Sequence, residues 1–582
     1  MIMKYYIAGL AAVTAASLAC TSFANEVTAD RLVAAGTEAE SENWLMVHKT
    51  YDSNRYSALN QINSGNVSDM RLAFAVPLGG LEPSGFGAGY MEGTPLVDNG
   101  FMYVSDPWGT PYKIDVSSGK HGRILWVCDT DIEKDATAGV LLAHRGLALS
   151  GNNVITALND GRVVACDIET GDVVWDQAIA TEPGEGFTSA PLAVGDKILV
   201  GQSYGDWATR GWLAALDADS GEELWRFYTV PEPGQSGSET WLCEETGNPD
   251  CWKTGGGSLW VTGSYDPDTN TTFWGTGNPT PMFDPEFRPG DNLYTNSTIA
   301  VDVDSGELKW HFQYTPGDYM DYDEVGSHLL MDISVNGEDR KVLSHFGRNG
   351  LFYSLDRSNG SYIQSAQYVN ELNWTEGIDP KTGMPLEYDP SKSLQTYAVG
   401  ALRRDGGKIE NCPHMGGGVN FFPTAFNPVN GIAYGAGQEG CSEIEAKETA
   451  PEDIPAGVVI LGGTFASVGE VSGSISAIDV ASGTPTGKHA TPYPNNSGML
   501  VTPDLVWTGH LDGTISAHDA TTLETAWSMN VGTAFRAPPM TYAVNGKQFI
   551  AIEGGHIGSN GGGRVELANM QQSNMIWVFA VD

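Results

Sequence analysis

The stretch that decides the fold is Val301-Asp302-Val303-Asp304-Ser305-Gly306-Glu307-Leu308-Lys309-Trp310, because the chain returns to this phrase repeatedly. An apolar residue precedes Asp302, and a serine and a glycine follow it. An Asp-x-x-Ser/Thr-Gly segment is typical of a hairpin turn in which the glycine adopts a positive φ. The strands before such turns are apolar and β-branched, as in residues 153–158 and 197–200. We expect the closing tryptophan to pack between neighbouring sheets.

Seven copies of the phrase are spread along the chain, and several neighbouring copies lie roughly 40 to 55 residues apart, the period of a four-stranded propeller blade. The other six are Ile114-Asp115, Cys166-Asp167, Leu216-Asp217, Leu355-Asp356, Ile478-Asp479 and His518-Asp519, three of which end in Trp175, Trp225 and Trp527. We expect an eighth blade where residues 71–76 pair with residues 575–581, which would leave no free sheet edge. The sequence therefore predicts an all-β, eight-bladed β-propeller, the alternative being an irregular repeat in another β architecture.

Two wide gaps interrupt the repeat, near residues 226–300 and 360–475. We expect long loops there, and loops gathered at one end of a propeller build its functional site.

The charge of the chain is strongly negative, since 31 Lys and Arg residues against 72 Asp and Glu residues give −41. Such a surface would repel nucleic acid and anionic lipid, so the sequence excludes both as partners. It would attract a basic protein instead. Hydrophobic residues make up 41% of the 582 residues, which excludes a disordered chain.

The N-terminus has the pattern of an export signal. Lys4 supplies a positive charge, residues 7–18 form a short apolar core, and Ser22-Phe23-Ala24 is a small-x-small cleavage site. We predict cleavage after Ala24, so that residues 25–582 form a single exported domain. Its apolar core is too short to span a membrane, and no later run in the sequence is long and apolar enough to cross a bilayer.

Export makes disulfides available to the six cysteines that would remain. Cys243 and Cys251 bracket a Gly-Asn-Pro turn and are a candidate local pair. Cys128 and Cys166 lie in strand-like runs, where they either pair or are simply buried. The sequence contains no Cys-x-x-Cys-His, so we predict no c-type haem in this chain.

Three carboxylates stand within four residues in Tyr319-Met320-Asp321-Tyr322-Asp323-Glu324. In an extended segment Asp321 and Asp323 would point to the same side, because side chains alternate with period two. Two adjacent carboxylates repel each other unless a proton or a cation lies between them. The segment is therefore either a binding or catalytic pair or a solvated acidic turn.

Four strings follow one another in the middle of the chain: Gly255-Gly256-Gly257-Ser258-Leu259-Trp260, Tyr265-Asp266-Pro267, Gly275-Thr276-Gly277-Asn278-Pro279 and Arg288-Pro289-Gly290-Asp291-Asn292. In this order they resemble the quinoprotein alcohol dehydrogenases that carry pyrroloquinoline quinone (PQQ), of which methanol dehydrogenase is the familiar member. The resemblance covers nearly all of the mature chain, and it implies that the repeated phrase is the tryptophan-docking motif of that family. It also implies a disulfide between Cys412 and Cys441, which the residues alone suggest only as a way to close a larger loop.

The same resemblance implies a set of cofactor contacts. PQQ is a flat, tricarboxylated o-quinone, so its site needs an aromatic floor and several hydrogen-bond donors. Trp260 matches the tryptophan on which the quinone stacks, although it could instead be one more blade-packing residue. Arg145 matches a donor whose guanidinium can grip a carboxylate through two hydrogen bonds. The remaining matched positions are Glu92, Thr188, Ser203, Gly205, Ser258, Arg348 and Asn420.

A metal site is implied as well, with Asp206, Asn278, Asp321 and Asp323 as its ligands. Asp321 falls on the catalytic aspartate of the family and Arg348 on the arginine beside the quinone oxygen. Members that use Ca²⁺ have a small residue at the position of Asp323, whereas lanthanide-dependent members have Asp-Tyr-Asp, as here. A trivalent, oxygen-seeking ion favours an additional carboxylate. We therefore predict a lanthanide(III) ion, with Ca²⁺ as the alternative. The alternative interpretation of Asp323 is an acidic residue that has no role in metal binding.

Three positions depart from the family pattern. Gly139-Val140 replaces the adjacent cysteine pair beside the cofactor, Asp206 is one methylene shorter than the usual glutamate, and Asn495 aligns with a tryptophan that touches PQQ. These changes favour an alcohol larger than methanol, such as a longer alcohol, a polyol or a sugar-like compound.

The expected activity is oxidation of that alcohol in the periplasm, with Asp321 taking the hydroxyl proton and a separate soluble cytochrome c accepting electrons. The sequence leaves open whether the protein forms a homodimer. One rival is a non-catalytic propeller scaffold, which needs neither Trp260 nor the pair Asp321 and Arg348. Another is a hydrolase, but carboxylates two residues apart on a strand would lie too close together to flank a glycosidic bond.

Overall fold

The computed structural model describes residues 26–85, 87–134, 141–335, 337–450, 454, 457–558 and 564–581. The predicted signal peptide, residues 1–24, and the departure at Gly139-Val140 lie outside these residues. Helices are few and short: an α-helix over Ala29–Val33 and 3-10 turns over Glu38–Glu40, Val67–Asp69, Gly205–Trp207, Ser238–Thr240, Cys243–Thr246 and Cys251–Thr254. The predicted all-β class is confirmed.

The described strands form eight antiparallel sheets, which we number in chain order. Sheet 1 contains Leu96–Asp98, Phe101–Ser105, Pro111–Asp115 and Arg123–Val127; sheet 2 contains Ala148–Ser150, Asn153–Ala157, Arg162–Asp167 and Val173–Ala178. Sheet 3 contains Leu192–Val194, Lys197–Gly201, Trp212–Asp217 and Glu223–Tyr228; sheet 4 contains Ser264–Asp266, Thr271–Gly275, Ser297–Asp302 and Leu308–Gln313. Sheet 5 contains His328–Val335, Glu338–Phe346, Leu351–Asp356 and Tyr362–Gln367.

Sheet 6 has five strands: Lys408–Asn411, Ala425–Asn427, Ile432–Ala446, Gly463–Asp479 and Thr484–Thr491. Sheet 7 contains Leu500–Val501, Leu505–Gly509, Thr514–Asp519 and Thr525–Asn530, and sheet 8 contains Arg71–Pro77, Met540–Val544, Lys547–Gly554 and Met575–Ala580. A short parallel pair, Tyr90–Met91 with Ala143–His144, stands apart from the sheets. In sheets 1 to 3 the first strand is buried, whereas the fourth is largely exposed in sheets 1 and 2 and mostly half-buried in sheet 3.

The chain closes on itself in sheet 8. Strand Arg71–Pro77 pairs antiparallel with Met575–Ala580, from Arg71 opposite Ala580 to Pro77 opposite Met575. The predicted pairing of the first and last strands is therefore confirmed. This closure gives the edge strand at the N-terminus a partner from the other end of the chain.

The repeated phrase forms the expected turns. In sheet 2 the carboxylate of Asp167 accepts hydrogen bonds from the main chain of Glu169 and Thr170, at 2.9 and 2.8 Å. Gly171 then adopts a φ of +78°, which a residue with a Cβ rarely does. The aspartate thus replaces main-chain acceptors in the turn, which explains why this residue type recurs.

The tryptophans of four sheets each contact the turn of the sheet that follows. Each indole N–H donates to a main-chain oxygen of that turn: Trp126 to Ile168 at 3.3 Å, Trp175 to Ala218 at 3.2 Å, Trp225 to Val303 at 2.9 Å and Trp310 to Arg357 at 3.2 Å. The rings lie against the turn glycines, where an added Cβ would come within 3 Å of an indole atom: Gly171, Gly221, Gly306 and Gly360.

The structure contains three disulfides among the described residues. The predicted pairs Cys243–Cys251 and Cys412–Cys441 are confirmed. Cys128 and Cys166, left open between pairing and burial, also form a disulfide.

The expectation of long loops in the two wide gaps is wrong in part. The first gap holds two strands of sheet 4, and the second holds Lys408–Asn411, Ala425–Asn427, Ile432–Ala446 and most of Gly463–Asp479. Apart from Gly463–Asp479, which ends in the copy Ile478-Asp479, these strands lack the repeated phrase, so the repeat alone could not reveal them.

Candidate active site

The acidic stretch lies in an irregular connection between Leu308–Gln313 and His328–Val335, not in a strand. Asp318 shapes it, because its carboxylate accepts main-chain hydrogen bonds from Met320 at 3.0 Å and from Tyr322 at 3.1 Å. Asp321 adopts a φ of +63°, a left-handed conformation that aspartate tolerates better than most residues. The prediction that strand alternation aligns Asp321 and Asp323 is therefore wrong, since a capped turn brings them together instead.

Both aspartates are buried, with 4% and 5% of their surfaces exposed for Asp321 and Asp323. The interpretation as a solvated acidic turn is wrong for this reason. Arg348 lies between them: its Nη2 is 2.6 Å from Asp321 Oδ2 and its Nη1 is 3.3 Å from Asp323 Oδ2.

Asp323 is also tied to the middle of the chain. Its Oδ1 accepts a hydrogen bond from the main chain of Asn278 at 2.7 Å, and its Oδ2 accepts one from Trp260 Nε1 at 2.7 Å. The side-chain nitrogen Nδ2 of Asn278 in turn donates a hydrogen bond to Asp206 Oδ1 at 3.1 Å. These contacts bring together all four residues that the sequence predicts as metal ligands. We call Asp206, Asp321, Asp323 and Arg348 the acidic end of the site.

The acidic end has more negative than positive groups. Burial, together with the neighbouring carboxylate of Asp323, raises the pKa of Asp206 to about 6. Burial raises the pKa of Asp321 well above its ordinary value, although the guanidinium of Arg348 opposes the rise, and burial likewise raises the pKa of Asp323. The buried carboxylates of Asp321 and Asp323 and the half-buried carboxylate of Asp206, beside one guanidinium, form an oxygen-rich donor set that suits a hard cation.

A second cluster lies at the other side of the cavity, and we call it the basic end. The parallel pair of short strands sets Met91 beside His144, so that Glu92 and Arg145, which follow them, stand side by side. Arg145 Nη2 is 2.8 Å from Glu92 Oε2, and Arg536 Nη2 is 2.6 Å from Glu92 Oε1. Here two guanidiniums share one carboxylate.

The donors of the basic end are not all used. Arg145 donates through Nη1 to Thr188 Oγ1 and to the main chain of Trp260, yet its Nε is buried without a hydrogen-bond partner among the described residues, as is Arg536 Nη1. Ser203 Oγ accepts from the main chain of Thr188 at 2.9 Å. Buried donors without partners indicate a site for an anionic ligand.

Glu553 lies behind the basic end and is buried. A Cβ placed on Gly93 would come 3.0 Å from Glu553 Oε2, so the carboxyl group packs directly behind the chain that carries Glu92. Burial raises the pKa of Glu553 to about 8.

The two ends face a cavity of about 230 Å³. Trp260 forms part of its wall, with the guanidinium of Arg145 4.7 Å from the indole ring and Phe421 6.1 Å from it between ring centres. The predicted residues that line the cavity are Glu92, Arg145, Thr188, Ser203, Asp206, Ser258, Trp260, Asp321, Asp323, Arg348 and Asn420. A larger cavity of about 540 Å³, lined by Tyr51, Asp52, Asp266 and Arg357 among others, contains none of them.

Two predicted residues stand behind the lining. Asn278 reaches it only through its bonds to Asp206 and Asp323. Gly205 is closely packed, since a Cβ there would lie 2.8 Å from Ser258 Oγ. Asn495 is not among the lining residues; it is buried, and its Oδ1 accepts a hydrogen bond from Thr508 Oγ1 at 3.3 Å.

Sequence reasoning missed several residues of the cavity wall: Tyr90, Leu141, Ala143, Tyr204, Trp207, Phe421 and Arg536. Most are apolar or aromatic and stand in no motif. Arg536 offered the one usable signal, a lone basic residue in the apolar run 534–538.

The chain is similar to known proteins over most of its length. Residues 44–370 match the family described as PQQ glucose/ethanol/alcohol dehydrogenase, beta-propeller domain. The quinoprotein alcohol dehydrogenase PedH of Pseudomonas putida is 32% identical over 547 residues, which cover 90% of this chain and 89% of that protein. The quinohemoprotein alcohol dehydrogenase ADH IIB of Pseudomonas putida is 32% identical over 590 residues, which cover 95% of this chain and 79% of that protein.

A solved structure of a europium-containing methanol dehydrogenase is similar to this chain, with a TM-score of 0.84 and 29% sequence identity. The similarity covers 95% of this chain and 100% of the other. The described residues include no helix with the length and apolar character needed to span a membrane.

Proposed function

Because the chain belongs to the family of PQQ-dependent alcohol dehydrogenases, we propose that it oxidises an alcohol to an aldehyde or ketone in the cavity between its acidic and basic ends. The observation that carries this proposal is the buried pair of Asp321 and Arg348, 2.6 Å apart, in the same cavity as Trp260. A scaffold protein would need neither the pair nor the unpaired buried donors of the basic end.

The residues of the cavity suit both partners of the reaction. Trp260 would support the flat face of PQQ, and Arg145, Thr188, Ser203, Ser258 and Asn420 offer donors to its carboxylates and carbonyls. Glu92 holds the two guanidiniums of the basic end in place. Gly205 lets the turn that carries Asp206 approach Ser258.

Asp321 would act as the base. Arg348 engages its Oδ2, which leaves Oδ1 to accept the hydroxyl proton of the alcohol. When bound, PQQ supplies the oxidant that takes the hydride of the carbinol carbon, and a bound cation supplies a Lewis acid. Arg348 would also stabilise the negative charge that develops on oxygen during the transfer.

For the cation we propose a lanthanide(III) ion held by Asp206, Asn278, Asp321 and Asp323. The carboxylates of Asp206, Asp321 and Asp323 carry up to three negative charges, partly offset by Arg348, and Asp323 supplies the extra carboxylate of an Asp-Tyr-Asp segment. The europium-containing relative supports this choice. A Ca²⁺ enzyme is the alternative.

We interpret the eight sheets as the eight blades of the propeller and the tryptophan contacts between sheets as its docking interactions. This arrangement would make residues 25–582 one domain. The exported chain would work in the periplasm, where a basic soluble cytochrome c is attracted by the net charge of −41. The aliphatic and aromatic wall formed by Leu141, Trp207 and Phe421 favours an alcohol larger than methanol.

Reconstitution tests the proposal. The purified apoprotein is loaded with PQQ and either Ca²⁺ or La³⁺, and dye reduction is followed with a panel of primary, secondary and polyhydric alcohols. We expect turnover with PQQ and La³⁺. No turnover with any combination would overturn the dehydrogenase proposal, and turnover with Ca²⁺ that La³⁺ does not match would overturn the lanthanide assignment.

A further inference from the structure

One segment of sheet 6 reaches across to the acidic end. The strands Ile432–Ala446 and Gly463–Asp479 have 15 and 17 residues and are much longer than the other described strands, and a loop connects them. We call residues 457–462 of this loop the strap. The main chain of Ile460 donates a hydrogen bond to the carbonyl oxygen of Asp206 at 2.7 Å. The strap therefore contacts the residue that carries a predicted metal ligand.

The strap also packs beside the cavity wall. Val459 lies against the cluster formed by Tyr204 and Trp207, both of which line the cavity. Gly457 lies so near the chain at Gly184 that an added Cβ would come 3.1 Å from its main-chain nitrogen. The contacts of Gly457 and Val459, on the N-terminal side of Ile460, thus hold the strap beside Trp207 and the neighbouring chain at Gly184.

Both ends of the loop are fixed to the same buried region. The main chain of Thr449 donates to Asp284 Oδ2 at 2.8 Å, and Arg404 forms an ion pair with the same carboxylate at 2.8 Å. At the other end, the main chain of Phe283 donates to the carbonyl oxygen of Leu461 at 2.7 Å. An anchored segment can hold its neighbour in place, which a freely moving loop cannot do.

The position of Asp206 depends on such support. It lies in a 3-10 turn of three residues that ends at Ala208, whose φ is +57°. The side chain of Asp206 is one methylene shorter than the glutamate expected at this position, so a small displacement of its main chain would move the carboxylate away from a cation. Its carboxylate accepts a hydrogen bond from Asn278 Nδ2 at 3.1 Å.

We propose that the strap is a positioning element for Asp206: the N–H of Ile460 fixes the main chain of Asp206, and Val459 fixes the adjacent Trp207. The strap thereby sets the reach of a short carboxylate to the cation and forms the outer support of the alcohol pocket. This inference rests on the proposed function. It assigns a role to residues that belong to no motif.

The test removes the main-chain N–H of residue 460. Ile460→Pro lacks the N–H, whereas Ile460→Ala loses most of the side chain but keeps the N–H. The readout is Tb³⁺ luminescence, sensitised by the nearby tryptophans, during titration of the apoprotein in the presence of PQQ. Because loss of an interaction that orients a metal ligand typically costs about 10- to 100-fold in affinity, we expect a weakening of about 10-fold in Ile460→Pro and affinity close to wild type in Ile460→Ala.

A second pair of variants separates positioning from folding. In an Asp206→Glu background the longer side chain reaches the cation without an exactly placed main chain, so Ile460→Pro should lose less affinity there than in the wild type. Val459→Ala should raise the KM for bulky alcohols more than it lowers kcat. Thermal unfolding and circular dichroism of each variant check that the fold is intact.

The outcomes distinguish this inference from the proposed function. Equal Tb³⁺ affinities for wild type, Ile460→Pro and Ile460→Ala would overturn the role of the strap and leave the dehydrogenase proposal standing. Equal losses in Ile460→Pro and Ile460→Ala would also overturn it, because the N–H would then not be the cause. If Ile460→Pro does not fold, an unchanged KM profile in Val459→Ala overturns the inference. A wild-type protein that binds no Tb³⁺ overturns this inference and the lanthanide assignment, whereas the dehydrogenase proposal falls only if reconstitution gives no turnover with either cation.

Discussion

The two ends of the cavity carry opposite excesses of charge. At the acidic end the carboxylates of Asp206, Asp321 and Asp323 lie around one guanidinium, and at the basic end two guanidiniums share the carboxylate of Glu92. Each cluster is incompletely neutralised by protein groups alone, and buried charge without a counter-charge is costly. From this difference we expect the carboxylates of a ligand to lie toward Arg145 and Arg536, and its coordinating oxygens, with a cation, to lie toward the aspartates.

The largest effect should follow from removing the base at the acidic end. Asp321→Asn keeps the shape of the side chain but cannot accept a proton, so turnover should fall by about 10³-fold. The thermal midpoint should stay equal or rise, because a buried carboxylate is replaced by a neutral group. Steady-state kinetics with saturating PQQ and metal measure this, and a variant that keeps a tenth of wild-type turnover would exclude Asp321 as the base.

The next largest effect concerns the identity of the cation. Asp323→Ala should weaken La³⁺ binding by about 10- to 100-fold while turnover with Ca²⁺ falls less, because the trivalent ion depends more on the additional carboxylate. Parallel titrations with the two ions measure the ratio. Asp219→Ala, which removes an exposed carboxylate in a turn of sheet 3, serves as the control. A loss of the same size for both ions would contradict the role given to Asp323.

The basic end can be tested in the same way. Arg536→Gln removes one of the two guanidiniums, and loss of a hydrogen bond to a charged group should weaken PQQ binding by about 10-fold. Turnover at saturating PQQ should change little, since Arg536 lies away from the acidic end. Equilibrium dialysis of PQQ measures this, with Arg340→Gln, a partly exposed arginine paired with Glu338, as the matched control. Equal PQQ affinity in both variants would remove Arg536 from the cofactor site.

The smallest effect is a change in the pH dependence of stability at the basic end. Burial raises the pKa of Glu553 to about 8 from an unfolded value of 4.5. The folded state therefore binds the proton more tightly, so the stability contributed by the protonated group is complete below about pH 4.5 and is lost as the pH rises through about 8. Glu553→Gln should flatten the fall in thermal midpoint between pH 5 and pH 8.5 by a few degrees. If the thermal midpoint falls with pH equally steeply in Glu553→Gln and in the wild type, this role of Glu553 is contradicted.

How much the sequence could predict differs between the sheets. Sheets 1 to 4 carry the full phrase, in which aspartate caps the turn and glycine adopts positive φ, so their existence follows from local chemistry. In sheet 6 the strand Ile432–Ala446 contains glycines at 435, 437 and 440, which weaken a strand in isolation. Its pairing with Gly463–Asp479 stabilises it, and that pairing cannot be derived from either segment alone.

The candidate site shows the same limit. Asp321 and Asp323 could be singled out as neighbouring carboxylates, but their convergence depends on the capping by Asp318 and the left-handed conformation of Asp321. The acidic end also joins residues from three separate parts of the chain, around Asp206, Asp321 and Arg348. Arg536 stands in no motif, and only the folded chain brings it to Glu92.

The strand order of sheet 8 has a consequence for biosynthesis. Within sheet 8, the strand Arg71–Pro77 pairs only with Met575–Ala580, which lies at the other end of the described residues. Until Met575–Ala580 has been synthesised, Arg71–Pro77 has no partner in its sheet. Sheet 8 therefore cannot be completed while most of the described chain is still being made.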